Sequence, residues 1–435
     1  MKNFINIWLQ RCESMGGRFS PSTARFCVLL LPMSAAIAPA HYRIAGVDLS
    51  TRWHGLVADG AVEATSDAAT YGVELDGDDF RFFVRGTSAR ALELSEALDG
   101  GSGVAARDDG PFRAQLQLVR TLRPAPAFET AAGPSSCRTP AYEPGSLVAG
   151  DLRLQLRPRA ATFGPAAAST GEGATESATY LRASWDCYRA TPRPAFDNDG
   201  ATRPSRADNV SPCDARGHFL LLPTIDDERN WRAQALARAD AFDLAALSLS
   251  TNATMVVCFN SVGAGASQNH CHCHAWPSLA PYACERAPPL ASRRFDTKVF
   301  ERDGAIATVS TPGAALDVAV LDYGVATVRL RSGDADLLGA GLAAVVGALA
   351  ERGSPHNVCG LGDAIYVFAR SRERCPALPT RLGCSEMMGV FHCASEEELE
   401  IAAAPGTMAD ALAAVSAPRE DVWAAVLAAL DGHFA

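Results

Sequence analysis

The chain has 435 residues, a formal net charge of -10 and 20% charged residues. That length holds one large domain or a few ordinary ones, and the composition is globular rather than disordered. The acidic balance gives no general electrostatic reason to bind nucleic acid or an anionic membrane surface, so any phosphate-binding site must be a local feature.

Thirteen cysteines without the regular spacing of a disulfide framework predict a reducing, cytoplasmic compartment. Most of them are expected to be small buried hydrophobes. Near the N-terminus, FCVLLLPMSAAIAPA (Phe26 to Ala40) has the make-up of a signal-peptide core with an Ala-x-Ala-like end, although such a run is as often a core strand. It is too short for a membrane span.

Between residues 41 and 110, apolar runs such as Phe80 to Val84 read as strands between turns. PFRAQLQLVRTLR, residues 111 to 123, alternates apolar and polar positions and predicts a half-buried strand. Residues 124 to 173 are rich in Pro, Ala, Ser and Gly around the strand-like Leu152 to Leu156, and a second loop runs from 191 to 208. HFLLLP, from His218 to Pro223, predicts a central strand closed by proline.

Asp226 and Asp227 then resemble helix-start residues, and Trp231 to about Ser248 has helical length and Ala/Leu content. Thr254 to Phe259 is β-branched and short, hence a strand, and it leads into NSVGAGASQ and NHCHCHAWP. Ala305 to Val309, Val325 to Leu330 and Ala364 to Ala369 predict strands, with helices over Leu337 to Glu351 and Asp421 to Leu430. The alternation argues for an α/β or α+β fold. No short fixed repeat is visible.

His270, His272 and His274 are spaced by two. On a strand all three imidazoles share one face, and Cys271 and Cys273 fall on the other. This constellation suits nucleotidyl transfer: one neutral imidazole attacks phosphorus while a neighbour fixes its tautomer or carries a proton. Backbone N–H groups of the turn Gly263 to Ser267 can hold non-bridging phosphate oxygens, since glycine permits close approach. The rival is zinc bound by His-x-His-x-His, with Cys284 or another Cys completing the shell, although no Cys-x-x-Cys spacing supports it.

Three pieces, NVSP followed by GHFLLLP (Asn209 to Pro223), FNSVGAGASQNH (Phe259 to His270) and HCHCHAW (His270 to Trp276), resemble in order the GDP-hexose phosphorylases of the histidine triad superfamily. These comprise GDP-L-galactose phosphorylase of plants and algae and GDP-glucose phosphorylase of animals, whose pattern reads NVSP, GHVLLIP, YNSLGA and NHLHFQAYY. FRAQLQLVR (Phe112 to Arg120), VLDYGVATVRL (Val320 to Leu330), the segment Ser354 to Arg370 and SEMMG (Ser385 to Gly389) are weaker echoes of the same family. Residues 20 to 110 and 124 to 208 are not covered.

The resemblance implies an α+β fold of two histidine-triad-like half-domains around a mostly antiparallel sheet with packed helices. Residues 209–300 would be the catalytic half, 301–435 the C-terminal half, and 1–208 a region completing the fold. It implies His272 as nucleophile on the α-phosphorus of a GDP-hexose, release of hexose 1-phosphate, and transfer of the guanylyl group to inorganic phosphate, with no metal or other cofactor. His270 and His274 complete the catalytic set. Asn260, Gly263, Gly265, Ser267, Gln268 and His218 are the candidate substrate-binding residues, with Asn260 and Ser267 equally suited to bracing the turn, and His218 to orienting a neighbouring imidazole or to a structural role. Asn357 is a weaker candidate to reach the site from the second half.

The family has glutamine where this chain has His274. Glutamine hydrogen-bonds but cannot shuttle a proton, whereas histidine does both, so a nucleotide hydrolase releasing GMP is the alternative enzyme. A metal-binding or nucleotide-sensing protein on the same scaffold is the non-enzymatic alternative.

Overall fold

The structure, a computed structural model, describes residues 42–117 and 214–434 with interruptions, and between them the strand segments 154–156, 185–189, 194–196 and 202–204. The signal-like run Phe26 to Ala40 lies outside the described residues. Among the described residues, ten strands form the main sheet: β1 (Leu154–Leu156), β2 (Trp185–Arg189), β3 (Phe219–Pro223), β4 (Met255–Asn260), β5 (Cys273–Pro277), β6 (Pro289–Phe295), β7 (Leu316–Leu321), β8 (Ala326–Arg331), β9 (His356–Leu361) and β10 (Ala364–Ala369). Helix α1 (Arg238–Ser250) connects β3 to β4, and α2 (Ala335–Glu351) connects β8 to β9.

The spatial order is β6-β7-β8-β10-β9-β4-β5-β3-β2-β1, with every neighbouring pair antiparallel. Each half repeats one plan. Its third strand leads through a helix to its fourth, and the fifth slots between them, giving β1-β2-β3-β5-β4 in one half and β6-β7-β8-β10-β9 in the other. The halves meet where β4 pairs with β9, Cys258 opposite Cys359 and Asn260 opposite Asn357. Cys258 and Cys359 occupy the fourth place in their strands, so the axis relating the halves passes between them.

The halves are unequal at their tips. Cys258 pairs with His274 on β5, and Cys359 with Tyr366 on β10. Tyr366 therefore stands where the first half has His274, and Ala364 where it has His272. β9 turns into β10 through Gly362 and Asp363, with Leu361 opposite Ala364, whereas residues 261 to 272 separate β4 from β5.

Residue alternation assigns the two faces of the sheet. One face sends Leu221, Val257, Phe259, Ala275, Val358 and Val367 against Leu244 of α1, Leu338, Leu342 and Val345 of α2, and Val426 and Leu430 of the terminal helix α4 (Arg419–Phe434). Each fully buried aliphatic side chain contributes about 1.5–3 kcal/mol. The α2 helix starts where Asp334 accepts the N–H groups of Asp336 and Leu337, both at 3.0 Å, so a capping carboxylate satisfies two donors that the first turn leaves open.

The opposite face packs Cys258, Trp276, Cys359, Tyr366 and Phe368 against Met387 and Met388 of the short helix α3 (Cys384–Met388) and against Phe112 and Leu116. Phe112 to Leu116 forms a strand within the run expected over 111–123, and it pairs in parallel with Val390–Cys393. The protein is thus α+β with a mostly antiparallel main sheet and packed helices. No helix among the described residues is long and apolar enough to cross a membrane.

Two expectations change. The helix expected from Trp231 begins at Arg238; Gln234, inside the expected span, bonds through its side chain to the main chain of His272 and Asn260. The division of the sheet also departs from a boundary at residue 300. β6, at 289–295, pairs with β7 of the second half, and β1 and β2 belong to the first.

Candidate active site

The sequence CHCHAW places His272 and His274 at the entry of β5, where alternation puts their side chains on one face. Their rings stand edge to face, with centroids 4.9 Å apart. Cys273 points the other way into the core beneath α1. His272 is buried and His274 half-buried.

β3 supplies the third imidazole. Phe219 pairs with Ala275 and Leu220 with His274, so His218 comes up on the same face, next to Trp276. Its Nε2 lies 3.0 Å from His274 Nδ1, and its ring stands edge-on to Trp276 at 5.8 Å. Two neutral imidazoles in such a pair share one N–H, so the tautomer of one dictates that of the other. His272, His274 and His218 form a row, with a hydrogen bond joining His274 to His218 and a ring contact joining His272 to His274.

His218 is placed by the glycine before it. Gly217 has φ +141°, and a Cβ there would lie 2.7 Å from the Tyr42 hydroxyl and 3.0 Å from the Phe219 ring. Tyr42 donates to the Arg216 carbonyl, and Trp53 Nε1 donates to the Ala215 carbonyl at 2.9 Å. The N-terminal segment thus braces the turn that delivers His218.

Gln234 secures His272. Its Oε1 accepts the His272 N–H at 2.8 Å, and its Nε2 donates to the carbonyls of His272 at 3.0 Å and Asn260 at 2.8 Å. Gln234 is buried, so these bonds satisfy main-chain groups that water does not reach. They also tie the two ends of the loop between β4 and β5 together.

The second half holds the glycine turn. Asn260 Oδ1 accepts from Asn357 Nδ2 at 2.7 Å and from the Cys384 N–H at 3.0 Å, and Asn357 Nδ2 also reaches the Ala264 carbonyl at 2.6 Å. Arg370, fully buried, donates to Asn357 Oδ1 at 3.2 Å and to the carbonyls of Leu382 and Glu373, each at 2.6 Å. Burial lowers its pKa to about 10 despite the neighbouring carboxylates of Glu373 and Glu386, which leaves it charged at neutral pH. Glu373 accepts from Arg381 and from the Gly265 N–H at 3.1 Å, and Arg381 donates to the Ala266 carbonyl at 3.1 Å.

These contacts occupy two of the N–H groups expected to form the phosphate cradle. The Gly265 N–H is committed to Glu373 and that of Ala264 to the Ser261 carbonyl at 3.0 Å, so neither is offered to a ligand. Asn260 Oδ1 braces the turn against Asn357 and Cys384. Gly263 and Gly265, at φ +78° and +96°, serve the turn's own path, and Asn357 reaches the loop rather than the imidazoles. Ser267, Gln268 and His270 lie outside the described residues.

No family model matches the chain, and no curated protein matches it. Among solved structures it is similar to yeast Ap4A phosphorylase Apa2 in complex with AMP, at 14% identity over 76% of this chain and 95% of that one, with a TM-score of 0.40. Against the same yeast protein in complex with Ap4A the identity is 14% over 72% of this chain and 89% of that one, with a TM-score of 0.41.

Among the described residues, which do not include His270, the histidines and Cys284 of the rival zinc reading are not gathered into a ligand cluster. Among the described residues, the three-ligand cluster at metal-binding distances is Cys258, Cys359 and Cys384. Gln234, Arg370, Glu373 and Arg381 went unnoticed in the sequence. No motif marks them, and Gln234 falls inside a stretch whose composition imitates a helix.

Proposed function

We propose that the protein is a nucleotidyltransferase of the GDP-hexose phosphorylase type, working through a nucleotidyl group on His272. The observation that carries this reading is the row His272, His274 and His218 at one end of the sheet, with His272 held by its own main chain. A ring nitrogen of His272 attacks the α-phosphorus of a GDP-hexose, the bond from that phosphorus to the bridging oxygen breaks, and hexose 1-phosphate leaves. Inorganic phosphate then attacks the same phosphorus, the P–N bond breaks, and GDP departs with the imidazole restored. The guanine base and the hexose are inferred from the motif resemblance.

The hydrogen bond between His274 and His218 favours a second reading, in which water replaces phosphate. The pair can accept the proton that water sheds on attack, and the product is then GMP.

The test is incubation with GDP-L-galactose and GDP-glucose, with and without phosphate, and with Ap4A as an adenine substrate, alongside His272→Ala and His274→Gln. Phosphate-dependent GDP formation that disappears in His272→Ala supports the phosphorylase. GMP formed without phosphate, and shifted toward GDP by His274→Gln, supports the hydrolase. Absence of any nucleotide product from the wild type sinks both.

A further inference from the structure

Three thiols converge at the seam between the two halves, on the face of the sheet that carries the histidines. Cys258 and Cys359 are cross-strand partners with sulfurs 3.3 Å apart. Cys384, at the start of α3, closes over them, and the three Sγ atoms lie within 4.8 Å of one another. All three residues are buried and none is in a disulfide. They come from three remote segments, so no spacing in the sequence marks them.

We propose that Cys258, Cys359 and Cys384 form a binding site for a soft monovalent metal ion, Cu(I), held by three sulfurs in trigonal coordination.

The donor set is all sulfur, which selects soft ions over Mg²⁺, Ca²⁺ or Mn²⁺. Among the described residues no imidazole or carboxylate joins the cluster. All three residues are buried away from bulk solvent. A structural zinc site takes four ligands in a tetrahedron, whereas three sulfurs complete the sphere of a closed-shell monovalent copper ion.

The surroundings of Cys384 carry both signs of charge, the carboxylate of Glu386 and the guanidinium of Arg370. Arg370 is buried and its guanidinium interacts electrostatically with Cys384, offsetting negative charge on the sulfurs. The S–H of Cys384 faces the Phe259 carbonyl at 3.2 Å. Each sulfur that ligates as a thiolate gives up its proton to solvent as the ion enters. The site is independent of the histidine chemistry, although Cys258 is the cross-strand neighbour of His274.

Full-length protein, purified reduced, metal-free and without oxygen, is titrated with Cu(I) against a chromogenic Cu(I) chelator, and the loaded protein is examined by copper X-ray absorption. The expected result is one retained equivalent with three sulfur donors. Cys258→Ser, Cys359→Ser and Cys384→Ser each weaken retention by about tenfold or more, while Cys375→Ser does not. Failure of folded wild type to retain an equivalent overturns the proposal, as does a nitrogen or oxygen donor in the spectrum or undiminished retention in the three variants. The absorption spectrum uses wild type alone and decides the matter even where a serine variant does not fold. A Cys258–Cys359 disulfide that forms in place of ion binding also overturns it.

Discussion

Gln234 grips His272 from both sides of the residue, accepting its N–H at 2.8 Å and donating to its carbonyl at 3.0 Å. Replacing it with leucine leaves a buried N–H and two buried carbonyls without their partner, at a cost of about 1–3 kcal/mol. Urea unfolding of Gln234→Leu should show a loss of that order. Turnover by the folded fraction should fall as well, because His272 loses its main-chain anchor. Stability and turnover equal to wild type would rule out the clamp.

The contact between His218 and His274 gives a second prediction, which rests on the proposed chemistry. His218→Phe keeps an aromatic ring beside Trp276 but removes the nitrogen facing His274 Nδ1. Turnover should fall by about 10²-fold, in the range of a lost proton-transfer step, with KM changing far less. The pH profile of kcat should change shape too, a signature that a packing defect alone does not produce.

Gly265 permits a local contrast. At φ +96° its added Cβ would lie 2.7 Å from the Leu382 carbonyl oxygen and 2.9 Å from the Gly383 Cα, while at Gly263 the nearest atom is Pro355 Cγ at 3.2 Å. A left-handed backbone costs a non-glycine residue about 1–3 kcal/mol, and at Gly265 the collision with main chain adds to it. Thermal denaturation should find Gly265→Ala clearly less stable than Gly263→Ala. Equal melting temperatures would contradict the close approach of the two halves here.

His356 predicts a pH dependence. Its Nδ1–H donates to the Ser354 carbonyl at 3.0 Å, and its buried Nε2 has no hydrogen-bond partner among the described residues. Burial holds its pKa below the ordinary 6.5. Below that pH the unfolded chain binds the proton more readily than the folded one, so unfolding gains as pH falls. The stabilising contribution is complete above about pH 6.5 and is lost as the pH drops through the folded pKa. Urea unfolding across this window should show a steeper acid loss for wild type than for His356→Gln.

Much of the framework was legible because it rests on local pattern. The run of apolar residues after His218, the β-branched run ending at Phe259, and the segment Ala364 to Ala369 are strands in the structure, and α2 follows its Ala/Leu composition. The alternation of His272, Cys273 and His274 correctly assigned their faces. What escaped was non-local. Gln234 was read as helix because composition favours one there, whereas its side chain bonds to the main chain of His272 and Asn260. Arg370, Glu373 and Arg381 act on a loop about a hundred residues upstream, through register that no motif encodes. The thiol cluster was hidden for the same reason.

The clamp on the glycine turn also bears on how the chain can be divided. A fragment ending before Pro355 would keep His218, His272 and His274, yet it would lose the β9 edge, Asn357, Arg370 and the Glu373–Arg381 pair that supports Gly265 and Ala266. The half that lacks this row of three imidazoles braces the turn of the half that carries it, so a first half expressed alone should lose that support although the two strand plans are alike.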